Sequence, residues 1–325
     1  MKSWVLSLTL MLFVASPALG KDFDPKKIYQ EASKAVVLIA AFERGGDSAS
    51  TGTGSIIRDD GSILTNAHVI INSANGKPFN KIRVFLKPSR VTGNLKKDTS
   101  RKFKASLIKY SKDLDLAILR INDPKFSASL PYLKLSNLHE ISIGDPVLAI
   151  GHPEKGGLWT LTTGTISSLI ENFENIPGKD VFQTETSFNR GNSGGPLLDR
   201  RGDIVGINSM IARKGEGGIT ITDINFSIKS TVATKWMNSI GQSYDYATPN
   251  RHESKEDDSP MNNVGIVPVP TQKPEIKENK PEPQAKEEPE ILTERRPYKE
   301  KDLLQQVEEE MEDMMEEMKG RIRNR

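Results

Sequence analysis

Three short segments, far apart in the chain and met in a fixed order, constrain this sequence more than its composition does. The last of them, Gly191-Asn192-Ser193-Gly194-Gly195-Pro196, sets a serine between glycines on a tight turn. Glycine permits backbone angles closed to other residues and lets a reacting carbonyl approach the main chain. The N–H groups of Gly191 and Ser193 can then both point at one developing oxyanion. The first segment, residues 62–69, reads as an apolar strand running into a small-residue turn that presents His68 at a strand end. A histidine there can take the proton of a serine hydroxyl at neutral pH and return it to a leaving group. Between the two, Asp113-Leu114-Asp115-Leu116-Ala117-Ile118-Leu119-Arg120-Ile121 has the alternation of a strand buried on at least one face. A carboxylate beginning such a strand is costly to bury unless hydrogen-bonded. Asp115 directly precedes the apolar run and is the expected acceptor for His68 Nδ1–H; Asp113, on the same face two residues earlier, is the alternative.

The order His68, Asp115, Ser193 is the chymotrypsin order, and it differs from the orders found on the subtilisin and α/β-hydrolase folds. Thr65-Asn66-Ala67-His68-Val69, Asp115-Leu116-Ala117-Ile118-Leu119 and Gly191-Asn192-Ser193-Gly194-Gly195-Pro196-Leu197 resemble the three signatures of the HtrA (DegP-like) serine proteases. The likeness continues through Ile150-Gly151-His152-Pro153, residues 162–168, Gln183-Thr184-Glu185-Thr186 and Gly206-Ile207-Asn208-Ser209, and covers about residues 25–240. It implies an all-β, chymotrypsin-like double six-stranded antiparallel β-barrel with the site at the junction, and an endopeptidase acting on unfolded or damaged polypeptides. Short alternating or β-branched segments at 35–42, 81–86, 103–110, 146–151 and 204–211 themselves fit an antiparallel all-β domain, sandwich or barrels. Val232, Trp236 and Ile240, spaced by four, predict a closing helix over 229–240.

In proteases of this fold the primary pocket is built from residues just before the nucleophile and from the strands that follow it. Here the resemblance points to Ser187, Phe188, Ile207, Asn208, Ser209 and Phe226. None is acidic, so none can pair with a substrate Lys or Arg, and a pocket phenylalanine leaves room for a small aliphatic side chain. Phe188 also fits a core aromatic bracing the loop, and both roles can hold together. Asn208 stands where the glutamyl endopeptidases place a histidine, which argues against acidic specificity. No metal or other cofactor is expected: His139, His152 and His252 have no partner at metal-ligand spacing, there is no H-E-x-x-H run, and cysteine is absent.

Residues 1–20 carry Lys2, an apolar run over 4–15, then small residues before Lys21. That pattern predicts a secretory signal peptide and export to a bacterial periplasm or the medium; a spanning helix needs about 20 apolar residues, so no integral membrane span is expected in the mature chain. Without cysteine, the protease domain expected over 21–245 is stabilised by burial alone. Residues 246–300, rich in Pro, Glu and Lys, predict a disordered linker. Over 301–325, Leu304, Val307, Met311, Met314, Met318 and Ile322 form one stripe of an amphipathic helix, a possible coiled coil or a helix that docks on another protein. Residues 251–325 hold 14 basic against 20 acidic residues, net −6, and residues 1–250 hold 31 against 23, net +8. The lysines of the basic part are dispersed and no nucleic-acid motif accompanies them, so nucleic acid is not an expected partner. The tail has neither the ordered pattern nor the composition of a PDZ domain, with which HtrA proteins usually continue. The resemblance leaves a trimer through the N-terminal segment as an expectation, with Phe23 and Tyr29 as aromatic contacts.

Overall fold

The computed structural model describes residues 23–43, 49–123, 126, 129–136, 141–154, 156–187, 191–209 and 224–242. The readings of a signal peptide at 1–20, a linker at 246–300, a helix at 301–325 and a pocket wall at Phe188 lie outside these residues. Among the described residues no helix is long and apolar enough to cross a membrane.

The first barrel contains β1 (Val36–Phe42), β2 (Ala49–Ile56), β3 (Ser62–Thr65), β4 (Lys81–Leu86), β5 (Lys102–Ser111) and β6 (Leu116–Ile121). It closes in the order β1-β2-β3-β6-β5-β4. The second contains β7 (Pro146–Gly151), β8 (Thr160–Ile170), β9 (Val181–Thr184), β10 (Pro196–Leu198), β11 (Ile204–Ser209) and β12 (Asn225–Lys229), closed as β10-β11-β12-β9-β8-β7. Every pairing between these strands is antiparallel. The expected double six-stranded barrel is therefore the observed fold. Closure gives each of these strands a partner on both sides.

Side-chain alternation divides the core. In β7, Val147 and Ala149 belong to a small cluster with Ile166, Phe182, Leu197 and Val205. Leu148 and Ile150, on the other face, join the large cluster that takes in β1, β3 and β6 and reaches across to Leu198 and Ile207. Trp159 ties the two halves together: it is buried, and its indole N–H donates to Val36 O at 2.8 Å. A short helix α1 (Pro25–Ala32) precedes β1, capped by the Asp24 carboxylate, which accepts from Lys27 N–H. Tyr29 of α1 donates its hydroxyl to Trp159 O at 2.8 Å. One-turn helices α2 (Ala67–Ile70) and α3 (Leu95–Asp98) lie in connections of the first barrel. Helix α4 (Ser230–Ser239), expected from the spacing of apolar residues, buries Val232, Ala233, Trp236 and Met237.

Candidate active site

The segments singled out in the sequence meet where the two barrels touch, as the bonds Ser209–Asp115 and Thr53–Ser193 show. After β3 the chain turns at Asn66 and enters α2, so His68 stands just beyond the strand end with its side chain half exposed. Asp115 closes the turn before β6 and has φ 53°, a left-handed conformation that costs a non-glycine residue about 1–3 kcal/mol. The conformation is held from both sides. Asp115 N–H donates to Lys112 O at 3.1 Å, and Asp115 O accepts from Asn66 Nδ2 at 2.8 Å. Its carboxylate meets the imidazole, with Nδ1 2.8 Å from Oδ2 and 3.0 Å from Oδ1. An ionised carboxylate only accepts, so Nδ1 carries the proton and Nε2 is left as the basic nitrogen. Oδ1 accepts in addition from His68 N–H at 3.0 Å, which ties the ring and its backbone to one group. Asp113 is exposed, and the carboxylate placed against the ring is that of Asp115.

Ser209, expected as a pocket wall, has a second place in this network. Its hydroxyl donates to Asp115 Oδ2 at 2.9 Å. No local pattern signals this role, because the contact joins residues 94 positions apart on different barrels. A hydrogen bond to a charged acceptor is among the stronger kinds.

Ser193 sits on the loop before β10, and its side is reached from β2. Thr53 N–H donates to Ser193 O at 2.8 Å. A Cβ at Gly52, next in β2, would lie 2.6 Å from the Val69 side chain and 3.1 Å from Ser193 O, so the residue after His68 and the nucleophile loop press on the same glycine. No hydrogen bond joins Ser193 to the imidazole in this structure; in unliganded sites that bond commonly tightens only with substrate present. The loop backbone requires glycine at two points. Gly191 (φ 94°) and Gly194 (φ 83°) are left-handed, and a Cβ would collide with His152 O at the first and with Thr65 Oγ1 and Thr53 O at the second. Gly194 N–H and Gly195 N–H are consumed by Asn208 O and Asn192 O. Among the described residues, no bond is made by the N–H groups of Gly191 and Ser193, those expected to face an oxyanion.

The remaining expected pocket residues differ in what they offer. Asn208 is buried, with Nδ2 donating to Pro196 O at 3.0 Å and Oδ1 accepting from Ser227 Oγ at 2.6 Å, so its side chain braces β10–β12 through both of its polar atoms. Ile207 lies in the core. Phe226, half-buried, packs its ring on Phe173 with centroids 4.7 Å apart. The peptide oxygen of Ser187 accepts from Thr162 Oγ1 at 3.4 Å. Among the described residues no cluster of His, Cys, Asp and Glu is arranged to hold a metal.

A double antiparallel barrel with an imidazole–carboxylate pair and a glycine-bounded serine at its junction defines the class of chymotrypsin-fold serine peptidases. Comparison with known proteins agrees: the profile of a trypsin-like peptidase domain matches residues 52–207. The chain is 34% identical over 193 residues to a probable periplasmic serine endoprotease, DegP-like, of Chlamydia pneumoniae, covering 59% of this chain and 34% of that protein. It is 37% identical over 190 residues to the serine endoprotease DegS of Escherichia coli, covering 58% and 48%. Among solved structures, an HtrA-type protease AlgW with tripeptide superimposes with a TM-score of 0.54 at 30% identity, covering 67% of this chain and 65% of that one. These likenesses support an HtrA-type, chymotrypsin-fold serine protease. It spans about a third to a half of the length of these two curated relatives.

Proposed function

We propose that this protein is an exported serine endopeptidase that hydrolyses peptide bonds of unfolded or damaged proteins through Ser193, His68 and Asp115. The observation that carries the reading is the bonding of His68 Nδ1–H to Asp115, which leaves Nε2 as the basic nitrogen at the junction of the barrels. In the first step Ser193 Oγ attacks the scissile carbonyl as Nε2 takes its proton. The carbonyl becomes an oxyanion received by the N–H groups of Gly191 and Ser193, and Asp115 offsets the charge of the imidazolium. The imidazolium then gives that proton to the leaving amine, and the acyl group remains on Ser193. Water, deprotonated by the same nitrogen, attacks the ester, and that proton passes to Ser193 Oγ as the acid is released. No cofactor enters either half-reaction.

Substrate choice follows the pocket. With no acid among Ser187, Phe188, Ile207, Asn208, Ser209 and Phe226, cleavage should fall after Val, Ala or similar residues. Export is supported by the pattern of residues 1–20, and the periplasm by the naming of relatives as periplasmic endoproteases. A protease unit over 21–245, a linker over 246–300 and a partner-seeking helix over 301–325 complete the reading, with a homotrimer proposed by analogy to the family.

Purified protein incubated with unfolded casein, beside Ser193→Ala, tests this directly. Fragments ending in small aliphatic residues, produced by wild type alone, are expected. Equal digestion by both proteins would overturn the nucleophile, and fragments ending in Arg would overturn the pocket.

A further inference from the structure

A buried chain of side-chain hydrogen bonds, apart from the triad, ends on the loop that holds the proposed nucleophile. Thr53 of β2 is fully buried and grips that loop twice. Its N–H donates to Ser193 O at 2.8 Å, and its hydroxyl donates to Gly191 O at 2.6 Å. The two carbonyls bracket Asn192, so one residue holds both ends of the Gly191–Ser193 turn from the same side. With these carbonyls drawn toward β2, the N–H groups of Gly191 and Ser193 make no bond to the fold among the described residues.

Behind Thr53 stands His152, at the end of β7, buried and edge-on to Trp159 with ring centroids 4.8 Å apart. Its Nδ1 is 2.9 Å from Thr53 Oγ1. Chemistry fixes the direction of both bonds. A carbonyl oxygen can only accept, so the single hydroxyl proton of Thr53 goes to Gly191 O, and the proton between Thr53 and His152 comes from Nδ1. The imidazole is thereby the Nδ1–H tautomer, with a buried Nε2 that has no partner among the described residues. Burial also holds this histidine neutral, far below its ordinary titration range. A neutral Nδ1–H ring commits the threonine proton to the loop; the opposite tautomer would compete for it.

We propose that Thr53 and His152 are positioning residues of the oxyanion loop, the histidine directing the threonine hydroxyl onto Gly191 O so that the N–H groups of Gly191 and Ser193 stay aimed at substrate. Neither residue touches the reacting atoms, and the inference rests on the proposed role of Ser193.

The test compares Thr53→Val and Thr53→Ser in the full chain, read by the second-order rate of labelling with a fluorophosphonate, whose phosphoryl oxygen needs the same N–H groups as a tetrahedral intermediate. Valine keeps the methyl groups and loses the hydroxyl; serine keeps the hydroxyl and loses the methyl. Thr53→Val should label about 10- to 100-fold more slowly, less than the roughly 10²–10³ lost when an oxyanion donor is removed outright, because the donors are misplaced and not deleted, while Thr53→Ser labels within a few-fold of wild type. A merely structural threonine would show the reverse order or no difference, and either result overturns the proposal. Nitrogen-15 spectra of the histidine rings give a readout that survives any loss of folding in the valine variant: wild-type His152 should be protonated at Nδ1, and protonation at Nε2 would overturn the inference. Failure of the underlying reading is distinguishable, because then wild type itself would not label, or Ser193→Ala would label equally.

Discussion

Acid should destabilise this domain through His152, and replacing that residue should remove the effect. The imidazole is buried, its side-chain hydrogen bond among the described residues is to an uncharged hydroxyl, and burial lowers its pKa from 6.5 to about 3. A folded value below the unfolded one means that the unfolded chain binds the proton more readily. The contribution to stability is therefore complete above about pH 6.5 and is lost as the pH falls toward 3. Well inside that window the loss approaches about 1.4 kcal/mol per pH unit, and it comes to about 2 kcal/mol between pH 7 and 5. Against a typical total of about 5–15 kcal/mol this is measurable. Urea unfolding followed by tryptophan fluorescence at pH 7, 6, 5 and 4.5 gives the free energy for wild type and for His152→Asn. The other three histidines, His68, His139 and His252, are common to both, so the difference isolates position 152. Wild type should lose about 2 kcal/mol more than the variant between pH 7 and 5. Parallel stability curves would refute the argument, because they would mean that the ring protonates freely in the folded state.

Other expected outcomes follow from the same geometry. Ser209→Ala removes a donor to Asp115 Oδ2 and should lower kcat on casein about tenfold, the scale of one hydrogen bond to a charged group, with KM little changed. Asp115→Asn should lower kcat by about 10⁴, since an amide facing Nδ1 favours the wrong tautomer; a loss under tenfold would count against the assigned orienting role. Gly194→Ala places a methyl group against Thr65 Oγ1 and Thr53 O at a left-handed residue. The thermal midpoint should fall by several degrees or the protein should be insoluble, and an unchanged midpoint would contradict the loop geometry. Peptides with Val before the scissile bond should be cleaved and their Arg counterparts left intact, as read by chromatography.

The parts of this account that were legible in the sequence are those where chemistry restricts residue type. A nucleophilic serine needs small neighbours and a base, and the order of the three motifs then selects one fold among those that use them. Strand alternation located β4 and β7 at their observed limits, and apolar spacing placed α4 to within a residue at each end. What the sequence hid are contacts between distant segments that carry no local pattern. Ser209 looks like any pocket residue until β11 brings its hydroxyl to Asp115, and Asn208 looks available until Pro196 and Ser227 occupy its amide. His152 reads as part of a turn before a proline. Its meaning depends on Thr53, 99 residues earlier and on the other barrel, and only the closed fold joins them. The left-handed backbone at Asp115 was equally hidden, since aspartate tolerates that conformation without announcing it.

The central claim, that Ser193 is a nucleophile activated by His68, is met most directly by mapping where a fluorophosphonate attaches. After labelling and digestion, mass spectrometry should find one adduct per chain, on the peptide containing Ser193, and none in His68→Ala under the same conditions. An adduct on another residue, or equal labelling of Ser193 with the imidazole gone, would contradict the account.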